Sequence, residues 1–434
     1  MSDYQVVNPS TGEVEKVYPT ATDAEVQDAL LRTHAAYGEW RTTSKDERSR
    51  VLHRVADLYD ERADELAAII AREMGKPLRE GKGELQLVAS IFRYYADQGP
   101  ALLADAPLDP AMGGSALVRK EPIGPLLGMM PWNFPYYQVA RFAAPNLMIG
   151  NTILLKHAPQ CPEAALAIDQ IFADAGLPAD AYLNLFATNE QSADIIADPR
   201  VVGVSVAGSD PFILLDTDNL GAAVKSAVRG RMGNAGQACN GAKRMIIVDK
   251  LYDAFVEHFT AAMASHTPGD PFDDGTGFGP LSSEGAAVNL LEQVDDAVSK
   301  GAVLRSGGKR VDRPGAFVEA TVLTDVTPDM RAYHEELFGP AAVIYRVADA
   351  AEAVALANDS AFGLGGVVWS ADAEKAQQVA DQLDTGMVWI NSAQGSFADL
   401  PFGGTKRSGV GRELGPYGID EFVNKKLIYT PATR

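Results

Sequence analysis

The fold class of this chain follows from residues 152–186, TILLKHAPQCPEAALAIDQIFADAGLPADAYLNLF. The run from Thr152 to Leu155 is typical of a buried strand, and residues Pro162 to Ala175 form a helical pattern. A second apolar run, Leu183 to Phe186, follows. This order predicts two parallel strands joined by a helix, because parallel neighbours need a connection of about a dozen residues or more.

The same alternation continues on both sides of this stretch. The first hundred residues are predicted to be helical, with capping-box spacing at Thr22–Glu25 and Ser44–Glu47. Further strands are predicted at 116–122, 126–130, 201–206, 341–347, 366–370, 386–391 and 425–429. Further helices are predicted at 84–96, 144–149 (the end of one), 190–197, 251–264, 284–300, 350–358 and 373–383. We therefore expect mainly parallel α/β sheets.

The composition bounds the class of protein. With 434 residues, two or three domains are expected at roughly 150 residues each. Asp and Glu outnumber Lys and Arg by 58 to 38, and this net charge of −20 argues against nucleic-acid binding, which needs clustered basic residues. No apolar run approaches the roughly 18 residues of a membrane helix, and the polar start predicts a cytoplasmic protein. Two cysteines cannot form a disulfide scaffold, and the six histidines lack metal-ligand spacing.

A cysteine follows the glycine-rich loop GNAGQACNG, residues 233–241, ahead of an apolar strand. Cysteine attacks as the thiolate, so a nucleophilic cysteine needs dipoles or cations that lower its pKa. Cys239 is therefore a candidate nucleophile, although an inert packed cysteine would give the same local pattern. Cys161, beside Pro162 at a predicted helix start, fits the inert role better.

Three more motifs are candidates for chemistry. They are PWNFP at 131–135, EELFGP at 335–340 and PFGGTKRSGVGRE at 401–413. In the first, the side-chain amide of Asn133 could donate to an oxyanion. Taken singly, the first motif is explained about equally well as a rigid turn. A solvated acidic turn is the alternative for the second, and a flexible loop for the third.

Together and in this order, the four motifs resemble the aldehyde dehydrogenase superfamily over nearly the whole chain. The stretch KHAP at 156–159 and Arg141 resemble its bacterial succinate-semialdehyde dehydrogenase branch most. The resemblance implies two Rossmann-type parallel α/β domains and a small β oligomerisation extension in a homodimer or homotetramer. The implied division is a cofactor domain at 1–115 and 124–232, a catalytic domain at 233–415, and oligomerisation strands at 116–123 and 416–434.

The resemblance also implies a reaction and a set of site residues. The expected reaction is oxidation of a semialdehyde, succinate semialdehyde in particular, with NAD or NADP and without a metal. Cys239 would attack the aldehyde, and Asn133 with the Cys239 backbone N–H would hold the oxyanion. Cofactor contacts are implied for Trp132, Lys156, Ser209, Glu336 and Phe338, and substrate contacts for Arg141 and Ser396. A surface position for Arg141 is the alternative.

One departure from the family pattern follows the strand predicted at 201–206. The family has a Gly-Ser turn, a cofactor-binding helix and a Glu-Leu-Gly-Gly strand end there, whereas Ala207-Gly208-Ser209 runs directly into Asp210-Pro211-Phe212. Only four residues, 208–211, separate the strand candidates 204–207 and 212–215, too few for a crossover. Either one stretch is not a strand of that sheet or a helix is missing, and the family pattern favours an absence of about 25 residues, one helix included. The absent segment would carry the Glu that activates water for thioester hydrolysis.

This departure leaves alternatives open. The chain could be a non-catalytic relative that joins oligomers, or the gene record could carry a deletion. Pro159, where strict NAD users often carry Glu, leaves NADP possible. Gly233 stands where some semialdehyde enzymes have a second Arg, which leaves the exact aldehyde open.

Overall fold

The structure, a computed structural model, describes residues 4–201 and 210–432. Its strands in these ranges are β1 Tyr4–Val7, β2 Val14–Tyr18, β3 Ala106–Leu108, β4 Ser115–Pro122, β5 Pro125–Met130, β6 Thr152–His157, β7 Tyr182–Asn184, β8 Asp210–Leu214, β9 Ala242–Val248, β10 Val303–Ser306, β11 Thr321–Thr324, β12 Ala341–Val347, β13 Phe362–Gly363, β14 Gly365–Trp369, β15 Met387–Ile390, β16 Thr405–Lys406 and β17 Val423–Thr430.

The helices follow the same chain order. They are α1 Asp23–Trp40, α2 Lys45–Glu61, α3 Ala63–Met74, α4 Leu78–Leu102, α5 Tyr137–Ile149, α6 Pro162–Asp174, α7 Asn189–Ala197, α8 Leu220–Met232, α9 Asp249–Ala264, α10 Glu284–Ser299, α11 Arg331–His334, α12 Ala350–Asn358 and α13 Ala373–Ala380. Short 3-10 helices lie at Gly233–Gly236 and Gly418–Asp420. None of the helices so described is long and apolar enough to cross a membrane.

Residues 152–186 form part of a small parallel sheet of order β5-β6-β7. Helices α2 to α6 contribute to one apolar core around this sheet. The reciprocal capping box between Thr22 and Glu25 begins α1, and the Ser44 side chain accepts the Glu47 N–H at the start of α2. The parallel strands joined by helices confirm the mixed α/β fold class.

A second, larger sheet has the order β10-β11-β12-β9-β8-β14-β15, and β10–β11 is its antiparallel pair. Strand β8 pairs in parallel with β9 and β14, so residues 210–214 do not continue the small sheet. Residues 202–206 of the predicted strand 201–206 lie outside the described residues, and so does Ser209. Because β8 belongs to the large sheet and α8 packs on β9 and α9, we propose that the two domains divide between 201 and 210 instead of after 232.

The strands predicted to join subunits form a third sheet, β17-β4-β3. Strand β17 pairs antiparallel with β4 over eight residues, from Val423 opposite Pro122 to Thr430 opposite Ser115. Leu427 on β17 and Leu108 on β3 are exposed apolar side chains, 62% and 50% respectively.

Candidate active site

The small sheet and the large sheet bring their ends together at the site. Cys239 precedes β9, and Glu336 and Phe338 precede its parallel neighbour β12, so these residues lie at one edge of the large sheet. Asn133 follows β5, and Lys156 lies near the end of its parallel neighbour β6. The carboxyl edge of the small sheet thus faces the amino edge of the large one, and sequence motifs far apart in the chain meet.

The loop before Cys239 has a demanding backbone. Asn234 and Ala235 both have φ of 54°, in the left-handed region that costs non-glycine residues about 1–3 kcal/mol each. The Asn234 N–H donates to Glu80 Oε2 at 2.6 Å, and its side-chain amide donates to the carbonyls of Asn133 (2.8 Å) and Gln237 (3.1 Å). These bonds fix the loop that presents Cys239.

Gly236 in the same loop has a φ of 74°, and a Cβ there would collide with the Gly339 carbonyl. Gly339 belongs to the EELFGP motif, so this close approach brings the cysteine loop against that motif. A glycine is required at 236 for both the φ angle and the contact.

Cys239 is buried, with 7% of its surface exposed, and it lines two cavities. The larger, about 620 Å³, is also lined by Trp132, Asn133, Arg141, Lys156, Glu336 and Phe338. The smaller, about 360 Å³, contains Ser396. The structure therefore brings every predicted site residue in the described ranges to one of two spaces that meet at Cys239.

Asn133 is held by groups that sequence reasoning missed. Its side-chain amide donates to the Gln237 carbonyl at 3.1 Å, and its own carbonyl accepts from Lys76 Nζ at 3.0 Å. Lys76 pairs with Glu84 at 2.5 Å, and Glu84 accepts the N–H groups of Tyr136 and Tyr137, each at 3.0 Å, at the start of α5. This buried ion pair fixes the PWNFP turn beside the cysteine loop. Sequence reasoning missed Glu84 because a charge on an amphipathic helix is usually solvated, and it missed Lys76 because the connection Gly75-Lys76-Pro77 lies outside the four motifs.

Four charged groups act on the Cys239 thiol. Burial raises its pKa above the ordinary value, and the cations of Arg141 and Lys243 oppose this rise. The carboxylates of Asp210 and Glu336 add to it. The second cysteine, in contrast, is fully buried, and burial raises the pKa of Cys161 well above its ordinary value.

Arg141 lies inside the protein, 6% exposed, so the surface alternative is wrong. It pairs with Glu413, and its guanidinium carbon lies 4.5 Å from the centre of the Phe402 ring. Burial lowers the pKa of Arg141, but Glu413, Tyr137 and Cys239 together outweigh burial and keep it above the ordinary value. The side chain of Arg141 is therefore a permanent cation beside the larger cavity.

The remaining wall of the larger cavity carries two aromatic rings and one buried ammonium. Trp132 and Phe338 meet edge to face, with ring centres 5.6 Å apart. Lys156 is 8% exposed, and burial lowers its pKa. Within residues 4–201 and 210–432 its ammonium forms no hydrogen bond or ion pair, and the Tyr4 ring lies 5.9 Å away. A buried cation without a counter-ion, next to flat aromatic surfaces, fits a phosphate-bearing aromatic cofactor.

Comparison with known proteins agrees with this geometry. The model of the aldehyde dehydrogenase family matches residues 1–211 and 205–428, and the chain belongs to this family. It is 52% identical to a succinate-semialdehyde dehydrogenase [NADP(+)] of Deinococcus radiodurans over 98% of this chain and 94% of that protein. It is 43% identical to succinate-semialdehyde dehydrogenase [NADP(+)] 1 of Mycobacterium tuberculosis over 98% of each.

This chain also resembles a solved structure over nearly all of its residues. The succinic semialdehyde dehydrogenase of Streptococcus pyogenes, crystallised with NADP+, is 40% identical and superposes with a TM-score of 0.96. The match covers 99% of this chain and all of that one.

The comparisons also locate the inferred deletion. The two segments matched by the family model share residues 205–211, so the match is interrupted there. The alignment with the Deinococcus protein has 450 positions, whereas 98% of 434 residues is about 425. About 25 aligned positions therefore have no residue of this chain, which is the length inferred from the missing helix and strand end.

Proposed function

We propose that this chain oxidises succinate semialdehyde to the acid, with NADP as the hydride acceptor. The observation that supports this most is Cys239 at the meeting point of two cavities, with Lys156 and the aromatic rings in one and Ser396 in the other. The relatives named above carry this activity in their names. They give no support to the non-catalytic alternative.

In the proposed reaction, the Cys239 thiolate bonds to the aldehyde carbon and forms a thiohemiacetal. The oxyanion accepts hydrogen bonds from the Asn133 amide and the Cys239 backbone N–H. The chemistry that NADP supplies when bound is acceptance of the hydride from this carbon. Cys239 then carries a thioester, and hydrolysis by water breaks the C–S bond, releases the acid and restores the thiol.

Two features support NADP as the cofactor. The Lys156 ammonium has no counter-ion in the described part of the chain, so a ribose phosphate could provide one. The position three residues on is Pro159, which brings no carboxylate to repel a phosphate. Glu336 would hold the nicotinamide ribose, and Trp132 and Phe338 would line the ring site.

Arg141 supports a substrate that carries a carboxylate. Its guanidinium pairs with Glu413 and contacts Tyr137, and the buried Nη1 atom meets no acceptor with good hydrogen-bond geometry in the described ranges. Buried donors are nearly always satisfied, and guanidinium binds carboxylate strongly. Ser396, in the smaller cavity, would contact the same substrate.

The deletion makes thioester hydrolysis the expected slow step. By resemblance, the segment absent after Ser209 carries the general base, and general-base catalysis is typically worth about 10²–10⁴-fold. Rapid mixing with NADP and succinate semialdehyde should give an NADPH burst of one per Cys239, followed by slow turnover. The variant C239A should give none. Folded wild-type protein that gives no burst would contradict the proposal.

We further propose that the chain forms a homodimer or homotetramer through the sheet β17-β4-β3. Exposed apolar residues on edge strands favour pairing with a second copy. Sedimentation should show dimers or larger assemblies, and L427D should reduce them to monomers. A cytoplasmic location stays a prediction from the sequence.

A further inference from the structure

A buried lysine lies directly beneath the cysteine turn. Lys243, the second residue of β9, is 2% exposed. Its ammonium donates to the carbonyls of Ala238 at 3.1 Å, Cys239 at 2.9 Å and Gly241 at 3.2 Å. The same ammonium lies 2.7 Å from Glu336 Oε1.

These contacts use the whole hydrogen-bonding capacity of the side chain. An ammonium has three hydrogens, and four acceptors surround this one. Three of them are carbonyls of the turn that carries Cys239, and the fourth is the carboxylate from the neighbouring motif. Lys243 therefore links the two loops on which the cysteine and the proposed cofactor contacts depend.

We infer that Lys243 is a positioning residue that holds the Cys239 turn and the Glu336 carboxylate in one arrangement and so couples cofactor binding to the nucleophile. The inference rests on the proposed function, in which Cys239 attacks the aldehyde and Glu336 holds the cofactor ribose. Lys243 touches neither substrate nor cofactor in this role, and it acts through the two residues that it joins.

The charges around the thiol give this role a measurable signature. Arg141 on α5 and Lys243 on β9 are the cations acting on Cys239, and Asp210 on β8 and Glu336 before β12 are the carboxylates. Removing Lys243 should raise the pKa of Cys239, whereas removing the charge of Glu336 should lower it. Mere disruption of the loop would not give shifts of opposite sign.

The test measures alkylation of Cys239 by iodoacetamide as a function of pH, with peptide mass spectrometry to separate it from Cys161. We expect K243M to slow alkylation at neutral pH by about tenfold, because the rate follows the thiolate fraction. We expect E336Q to speed it. K243R should keep alkylation close to the wild-type rate, since it keeps the charge.

Titration of NADP binding by protein fluorescence supplies the second readout. K243M and K243R should both weaken NADP binding by about tenfold, because arginine cannot reproduce the contacts of a compact ammonium. In the double variant K243M/E336Q the losses should not add, since the two residues act through one contact.

The matched control is Lys375, which pairs with Asp216 at 2.7 Å. Asp216 lies past the opposite end of β8 from Asp210, so K375M removes a lysine–carboxylate pair between α13 and the edge of the large sheet opposite the one that carries Cys239. It should leave both readouts unchanged. Wild-type alkylation and NADP binding in K243M, or equal changes in K375M, would overturn the inference. If the alkylation shifts occur but wild-type protein gives no NADPH burst, the positioning role stands and the proposed function fails.

Discussion

Arg141 is the residue on which substrate choice should depend. The variant R141M removes the buried guanidinium that would bind the carboxylate of succinate semialdehyde. Hydrogen bonds between charged groups are worth about 1.5–3 kcal/mol, so KM should rise by roughly 10- to 100-fold. The KM of butanal, which lacks the carboxylate, should change little, although the rate with both aldehydes falls because Cys239 loses a neighbouring cation. Burst-phase kinetics with both aldehydes would check this, and an equal rise in KM for both would refute the assignment.

Lys156 should decide between the two nicotinamide cofactors. In K156M the binding of NADP should weaken by roughly 10- to 100-fold, because the ribose phosphate loses a buried cation. NAD has no such phosphate, so its dissociation constant should change by less than about threefold. Calorimetric titration with each cofactor measures both constants. Equal losses of NADP and NAD binding would show that Lys156 contributes only to the shape of the cavity.

The sequence pointed to the candidate-site residues whose neighbours in the chain form a motif. Cys239, Asn133 and Glu336 stand in short patterns of glycine, proline and aromatic residues. Glu84 and Lys243 do not, because a charged residue on a predicted helix or beside a predicted strand looks like part of a solvated surface. Only the packing of distant elements buries these charges and gives them partners.

At the scale of elements, the deletion after Ser209 is the feature that limits the proposed reaction. Inserting about 25 residues of the family pattern, a cofactor-binding helix and a Glu-Leu-Gly-Gly strand end, should raise steady-state turnover by about 10²–10⁴-fold, the typical value of a general base. The burst should be retained, because hydride transfer does not need that base. NADPH formation over many turnovers measures the effect.

A second insertion separates the base from the fold. The same segment with its Glu replaced by Gln restores the helix and strand end but not the carboxylate. It should leave turnover slow. If it turns over as fast as the unaltered insertion, the missing Glu is not the cause of slow hydrolysis.

Local patterns predicted most helices and strands. They did not predict every helix end or the sheet to which each strand belongs. The predicted helix 84–96 is part of α4, which spans Leu78–Leu102 and continues through Gly99 and Pro100. Gly99 lies against Met148, where a Cβ would collide, so packing with α5 explains a residue that disfavours helices. The sheet that β8 joins depends on long-range pairing, which a run of apolar residues does not specify.

At the scale of the whole molecule, a buried carboxyl should make stability depend on pH. Glu73 is fully buried and accepts the N–H groups of Glu163 and Ala164 at the start of α6. Burial raises the pKa of Glu73 to about 8, whereas an unfolded chain has a Glu pKa of about 4.3. Between these values the unfolded chain has lost a proton that the folded chain keeps, so stability falls as pH rises.

The variant E73Q removes this dependence. We expect wild-type Tm to fall by about 5 °C more than that of E73Q between pH 5 and pH 8, because the glutamine does not titrate. Scanning calorimetry across this range measures both profiles. Profiles with equal slopes would show that Glu73 is ionised in the folded protein.

The central claim is that the thiohemiacetal on Cys239 loses its hydride and leaves a thioester that water hydrolyses slowly. Its most direct test is mass spectrometry of the intact protein, quenched in acid after mixing with NADP and succinate semialdehyde. We expect a succinyl adduct that maps to Cys239, requires NADP and matches the NADPH formed. Unmodified protein, whether with many turnovers of NADPH or with none, would contradict the claim.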